Sequence, residues 1–135
     1  MVKATNPSLL KLSCAVLAFM VVAAPHAEAF LFCLFTLFHP IQYCEQYLTT
    51  GLTNYTNWVN CCDRLQFIYQ LYNGEIYGGL FDNKASHQSI CSCVINEVRG
   101  LQNYSYTYSS KMTAECNLRS FPFPVTKSFN CSTLS

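Results

Sequence analysis

Cys91-Ser92-Cys93 is the stretch on which the fold turns. Two cysteines one residue apart do not close easily on each other, so each must reach elsewhere. The run around them has helical periodicity: His87, Ile90, Cys91, Val94, Ile95, Val98 and Leu101 recur at steps of three and four. Each residue turns a helix by about 100°, so the two cysteines point to nearly opposite sides and tether one helix to two partners. Cys61-Cys62 does the same upstream at a smaller angle. With Cys33, Cys44, Cys116 and Cys131 the framework reads C-x10-C-x16-CC-x28-CxC-x22-C-x14-C.

Residues 1–29 read as a secretory signal peptide. Lys3 and Lys11 supply positive charge, Leu12 to Ala24 is an apolar run too short to span a bilayer, and Ala27-Glu28-Ala29 is a small-x-small cleavage site. Cleavage after Ala24 is the competing choice. The chain has nine cysteines, and Cys14 leaves with the leader. The eight that remain are an even set, as a disulfide framework in a short secreted chain requires. Zinc would want two-residue gaps between paired ligands, which CC and CxC do not provide. No metal or other cofactor is expected.

Residues 30–135 form one expected domain. Removing Lys3, Lys11 and Glu28 leaves six basic and six acidic residues. A balanced chain of this kind has no electrostatic pull toward nucleic acid or an anionic membrane. Only Ser132-Thr133-Leu134-Ser135 follow the last cysteine, so no hydrophobic anchor signal is present in this stretch.

The expected class is all-α: a four-helix, disulfide-stapled bundle with a long irregular C-terminal tail. A first helix runs from Phe30 to Leu48, kinked at Pro40 and stopped by Gly51. A second runs from about Asn57 to Tyr72, with Trp58, Cys62, Leu65, Tyr69 and Tyr72 on one face. Residues 73–83 hold three glycines and read as a loop. Asp82 or Asn83 caps a third helix, Lys84 to Arg99. Asn103 to Tyr108 alternates with period two but has no partner strand, so it is expected to be a loop into a short fourth helix, Ser110 to Cys116. Phe121-Pro122-Phe123-Pro124-Val125 is held extended by its prolines. Asn54 and Asn103 stand in N-glycosylation sequons, as does Asn130, which sits beside a bridging cysteine.

Catalysis is not expected. A nucleophile with a base, a carboxylate pair or an open metal site is needed for it. Beyond the leader only His39 and His87 remain, every cysteine is committed to a bridge, and the six acids show no distinctive spacing.

These residues resemble the plant non-specific lipid-transfer proteins across the whole mature stretch. The order C, C, CC, CxC, C, C is that family's framework. Tyr47-Leu48-Thr49-Thr50-Gly51 resembles its YLTGG, His87-Gln88-Ser89-Ile90-Cys91-Ser92-Cys93 its RQAACNC, and Phe121-Pro122-Phe123-Pro124-Val125-Thr126 its VPYPIS. Polar Ser92 between the cysteines resembles type 1. Eight cysteines allow on the order of a hundred pairings, and spacing does not choose among them. The resemblance implies Cys33–Cys93, Cys44–Cys61, Cys62–Cys116 and Cys91–Cys131. It also implies four helices round an internal apolar tunnel, with the tail closing one side.

On this resemblance the chain is a secreted monomer of the extracellular space or cell wall. It carries fatty acids, lysophospholipids or phospholipids and touches membranes only transiently. The contacts implied are Ile90, Val94, Ile95 and Val98 on the third helix with Phe123 and Val125 from the tail. His87 takes the place of the family's headgroup-contacting arginine. As imidazolium it would donate to a lipid phosphate or carboxylate, so headgroup affinity is expected to rise as pH falls. Three departures stand out: Tyr72 to Phe81 looks like an insertion, the tail tyrosine of the family is Phe123 here, and the charge is neutral. The 51% hydrophobic composition fits a tunnel or a solid core equally well. An empty cavity costs about 24 cal/mol per Å³, which disulfides worth roughly 2–4 kcal/mol each can offset. The alternative function is a hydrolase inhibitor or seed-storage protein on the same scaffold. Storage members are rich in glutamine, and this chain has only six.

Overall fold

The computed structural model describes residues 33, 37 and 39–135. The expected leader, residues 1–29, and most of the first helix before His39 lie outside them. Four helices and no strands make up the regular structure of the described residues, joined by short 3₁₀ turns. The expected all-α, disulfide-stapled bundle is the observed one.

The chain does not pass Pro40 as a kinked helix. His39, just before the proline, has a left-handed φ of 46° and so cannot continue a right-handed helix. A 3₁₀ turn, Gln42–Cys44, restarts the winding and leads into α1, Glu45–Thr50. Gly51 closes α1 at φ 72°, donating its N–H to the Tyr47 carbonyl. A Cβ there would lie 2.4 Å from the Tyr108 ring, so glycine also makes room for the next-but-two helix.

Helix α2, Tyr55–Tyr72, begins two residues before the expected start because Asn54 caps it, its side chain accepting from the Asn57 N–H. Its buried face is Cys61, Leu65, Ile68, Leu71 and Tyr72. Trp58, Cys62 and Tyr69 are only half-buried, so the face is turned away from the expected one, toward Cys61. The disulfides explain the turn: Cys61 reaches Cys44 beneath α1, while Cys62 reaches Cys116 beyond the fourth helix.

Helix α3, Lys84–Arg99, is the axis of the molecule. Asn83 caps it by accepting from the Ser86 N–H, and Gly100 follows its last turn. It is buried on two sides at once. Ile90, Val94, Ile95 and Val98 lie on one, and Cys93, only 4% exposed, lies on the other, bonded to Cys33. Helix α4, Tyr106–Glu115, starts four residues earlier than expected. The alternating tyrosines do not set its start; packing does. Ser105 donates its N–H to the Leu48 carbonyl, and the Tyr108 ring lies 5.9 Å from Tyr47. That contact draws the first turn into the helix against a weak local preference. Tyr47 in turn donates to Glu115 at 2.5 Å and packs on Trp58 at 4.8 Å. Burial and the Glu115 carboxylate hold the Tyr47 phenol well above its ordinary range, so it remains a donor.

Residues 117–135 form the tail. It runs antiparallel to α3, and α3 fastens it at successive points. Arg99 donates to the carbonyls of Lys127 and Phe129, Cys91 is bonded to Cys131, and Gln88 donates to the carbonyls of Ser132 and Leu134. From α4, the buried Ser109 hydroxyl donates to the Val125 carbonyl. Lys127 reaches back to the Leu101 carbonyl at 2.8 Å. None of the described helices is long and apolar enough to cross a membrane.

Candidate functional site

One wall of the buried apolar core is formed by α3 and the tail. Ile90, Val94, Ile95 and Val98 are 0% exposed, and Phe123 and Val125 join the same buried apolar cluster from the tail. Period 3.6 puts the four aliphatic side chains on one face of α3. The extended, proline-bounded segment brings Phe123 and Val125 against the cluster. Phe121 and Phe129 flank Phe123 at ring separations of 5.1 and 6.2 Å, so the tail side of the wall is aromatic. None of these six residues, the four of α3 with Phe123 and Val125, carries a charge.

His87 stands at one end of the wall, and its side chain is only 12% exposed. The ring stacks on Tyr72, with centroids 3.8 Å apart and planes 10° from parallel. Nδ1 lies 2.8 Å from the backbone oxygen of Ser135. Nε2 lies 2.8 Å from the Tyr72 carbonyl and 3.0 Å from Asp82 Oδ1. The imidazole therefore joins α2, α3, the loop at residues 73–83 and the tail, and both nitrogens are occupied by protein oxygens. Asp82 reaches it because Gly74 gives way. At φ 72°, a Cβ on Gly74 would lie 2.9 Å from the Asp82 Cβ. Burial and the nearby Asp82 carboxylate push the Tyr72 phenol up from its ordinary value.

At the other end of α3, the Glu97 side chain is 14% exposed. Its Oε2 accepts the Ile41 N–H at 3.2 Å, and His39 Nδ1 lies 3.9 Å from Oε1. Desolvation raises the carboxyl above its ordinary value, although the Ile41 bond and His39 act the other way.

Sequence reasoning missed the residues that seat the tail: Tyr72, Asp82, Gln88, Arg99 and Ser109. Four of the five act on or through backbone carbonyls, for which no residue pattern exists. A separate open groove on another flank of α2 is lined by Tyr43, Asn60, Asp63, Arg64 and Phe67 and shares no residue with the wall. Among the described residues no group of three or more His, Cys, Asp or Glu is arranged to hold a metal ion. Asn54 and Asn103 are both exposed, Asn103 at φ 58°. Asn130 is engaged, its side chain accepting from the N–H and hydroxyl of Ser132.

No protein-family model matches the chain. It is 29% identical over 128 residues to a non-specific lipid-transfer protein of Macadamia integrifolia, an alignment covering 95% of this chain and 92% of that one. Among solved structures it is similar to barley non-specific lipid transfer protein 1 in complex with an L-α-lysophosphatidylcholine. That match has a TM-score of 0.53 at 17% identity and covers 71% of this chain and 91% of the other. The chain is thus a homologue of a non-specific lipid-transfer protein, with the fold of the barley one and four disulfides among the eight cysteines of the described residues.

Proposed function

We propose that this protein is a secreted lipid carrier that takes the acyl chain of a fatty acid, lysophospholipid or phospholipid along the wall between α3 and the tail. The observation that carries the reading is the buried apolar face of Ile90, Val94, Ile95 and Val98 opposed by Phe123 and Val125, in a homologue of a lipid-transfer protein. Burial of methylenes at about 0.8 kcal/mol each supplies the driving force and little discrimination among lipids. His87 borders the site through its stack on Tyr72, whose ring lies 6.0 Å from Phe123. The chemistry is binding and release, without a covalent step. Residues 1–29 are the leader that would direct the chain to the extracellular space, where four disulfides persist. There it works as a monomer that meets membranes transiently.

The test is displacement of a fluorescent acyl probe from the oxidised protein by lysophosphatidylcholine, with mass spectrometry of lipids that co-purify. Saturable uptake that is lost on reduction supports the carrier. Inhibition of an amylase or a protease with no probe uptake would overturn it in favour of the inhibitor scaffold.

A further inference from the structure

Two buried side-chain oxygens of the described residues have no hydrogen-bond partner, Glu97 Oε1 and the Tyr104 hydroxyl. Glu97 is partly compensated, since its Oε2 takes the Ile41 N–H and His39 Nδ1 lies 3.9 Å from Oε1. Tyrosine has no second polar atom to do the same. Its phenol is a donor and an acceptor, and buried without a partner it forfeits the bonds it makes to water. Phenylalanine would give the same ring contacts without that loss.

Tyr104 lies in the link between α3 and α4, half-buried, with its side chain packed against the apolar cluster to which the wall belongs. Ser105 fixes the backbone by donating to the Leu48 carbonyl at 2.9 Å. Lys127 fixes the ring: its Nζ lies 5.1 Å from the ring centre and donates to the Leu101 carbonyl. Lys127 is two residues beyond Val125 in the tail, and Arg99 holds its carbonyl at the end of α3. Tyr104 thus stands at the end of the wall opposite His87, since His87 and Arg99 are about 18 Å apart along the helix. Both His87 ring nitrogens already face protein oxygens, so the unused donor is at the Tyr104 end.

We propose that the Tyr104 hydroxyl is the polar contact of the lipid site and donates to an acyl oxygen, either a fatty acid carboxylate or the ester carbonyl of a lysophospholipid. The assignment rests on the carrier reading above. The acyl chain then lies along α3 with its oxygenated end at the link to α4 and its methyl end toward His87. The Lys127 ammonium beside the ring has N–H groups beyond the one given to Leu101, and its charge favours the carboxylate.

The experiment compares Tyr104→Phe with the parent, both oxidised. An oxygen-free pyrenylalkane is the fluorescent probe, and lauric acid and lauroyl-lysophosphatidylcholine displace it. The probe should bind both proteins equally. The variant should hold the lysophospholipid about fivefold more weakly, and the fatty acid about tenfold or more, because a bond to a carboxylate is the stronger. Without lipid, the guanidinium midpoint of the variant should equal or exceed that of the parent, since an unpartnered hydroxyl has been removed. Lipid affinities that match the parent's, or fall only in step with the probe's, would overturn the role of Tyr104 and leave the carrier standing. A lipid-free variant less stable than the parent would overturn it as well, by showing the hydroxyl bonded inside the protein. A parent that takes up neither probe nor lipid would overturn the carrier reading, and this contact with it.

Discussion

Tyr72 and His87 stack with ring centroids 3.8 Å apart, and the centroid of the same tyrosine ring lies 6.0 Å from that of Phe123, with the planes tilted by 54°. One side chain at the end of α2 thereby links the α3 histidine to the aromatic part of the tail. The tail has no regular structure before its last 3₁₀ turn, so its position depends on such contacts.

Truncating that link should loosen the tail. Tyr72 is 9% exposed, and removal of a buried aromatic ring costs about 3–5 kcal/mol. Tyr72→Ala should lose about that much in guanidinium unfolding with the disulfides intact. Tyr72→Phe keeps both ring contacts and should stay within about 1 kcal/mol of the parent. Equal losses from the two substitutions would mean that the hydroxyl, not the stack, carries the contribution.

The sequence spoke most clearly where periodicity and punctuation agree. Helix α3 has its apolar positions at three and four, an asparagine cap and a glycine stop, and it spans Lys84–Arg99 as expected. The start of α4 was hidden because Asn103 to Tyr108 alternates locally, whereas its helical turn depends on Tyr108 meeting Tyr47 across the fold. The face of α2 was misplaced by the choice of Cys62 over Cys61, since periodicity alone cannot say which of two adjacent cysteines lies beneath α1. His87 was read as a group facing a ligand headgroup. Of its partners, Asp82 comes from a loop with left-handed φ at Gly74, Tyr77, Gly78 and Gly79, while the other two are the Tyr72 carbonyl at the end of α2 and Ser135 in the tail. No pattern in the sequence places Asp82 or the Tyr72 carbonyl beside the ring.

Glu97 gives a pH dependence of defined sign. Burial raises its carboxyl, so the folded state binds this proton more tightly than the unfolded chain does. Stability then falls as pH rises from the ordinary carboxylate value through the raised one. Glu97→Gln keeps an oxygen for the Ile41 N–H and removes the charge. The variant should match the parent below about pH 4 and exceed it at about pH 7, read as the difference in unfolding midpoints. A variant less stable than the parent at neutral pH would show that the carboxylate is held favourably by its neighbours.

The two shorter disulfide loops separate global from local effects. Cys91–Cys131 closes 40 residues and Cys44–Cys61 closes 17. By chain entropy they contribute about 4 and about 3 kcal/mol. Replacing each pair with alanines should destabilise the protein by similar amounts. Only loss of Cys91–Cys131 should also abolish the protection of the Leu134 amide, because that bond anchors the tail to α3. Unchanged Leu134 exchange in that variant would mean that Gln88 and His87 hold the segment unaided.

Val94 tests whether the wall faces a ligand. It is fully buried at the middle of the α3 stripe. In a close-packed core, Val94→Phe would force neighbours off their rotamers at about 1–3 kcal/mol. Against a space that receives an acyl chain, the ring enters that space and the protein should lose less than about 1 kcal/mol. The cost then appears in binding. Each methylene that no longer fits forfeits about 0.8 kcal/mol, about fourfold in affinity. Lysophosphatidylcholines of increasing chain length share one headgroup and differ only in methylenes. In probe displacement the variant should match the parent for the shortest chains and fall progressively behind for the longest. A loss equal at every chain length, accompanied by strong destabilisation, would place Val94 in a solid core and the lipid elsewhere.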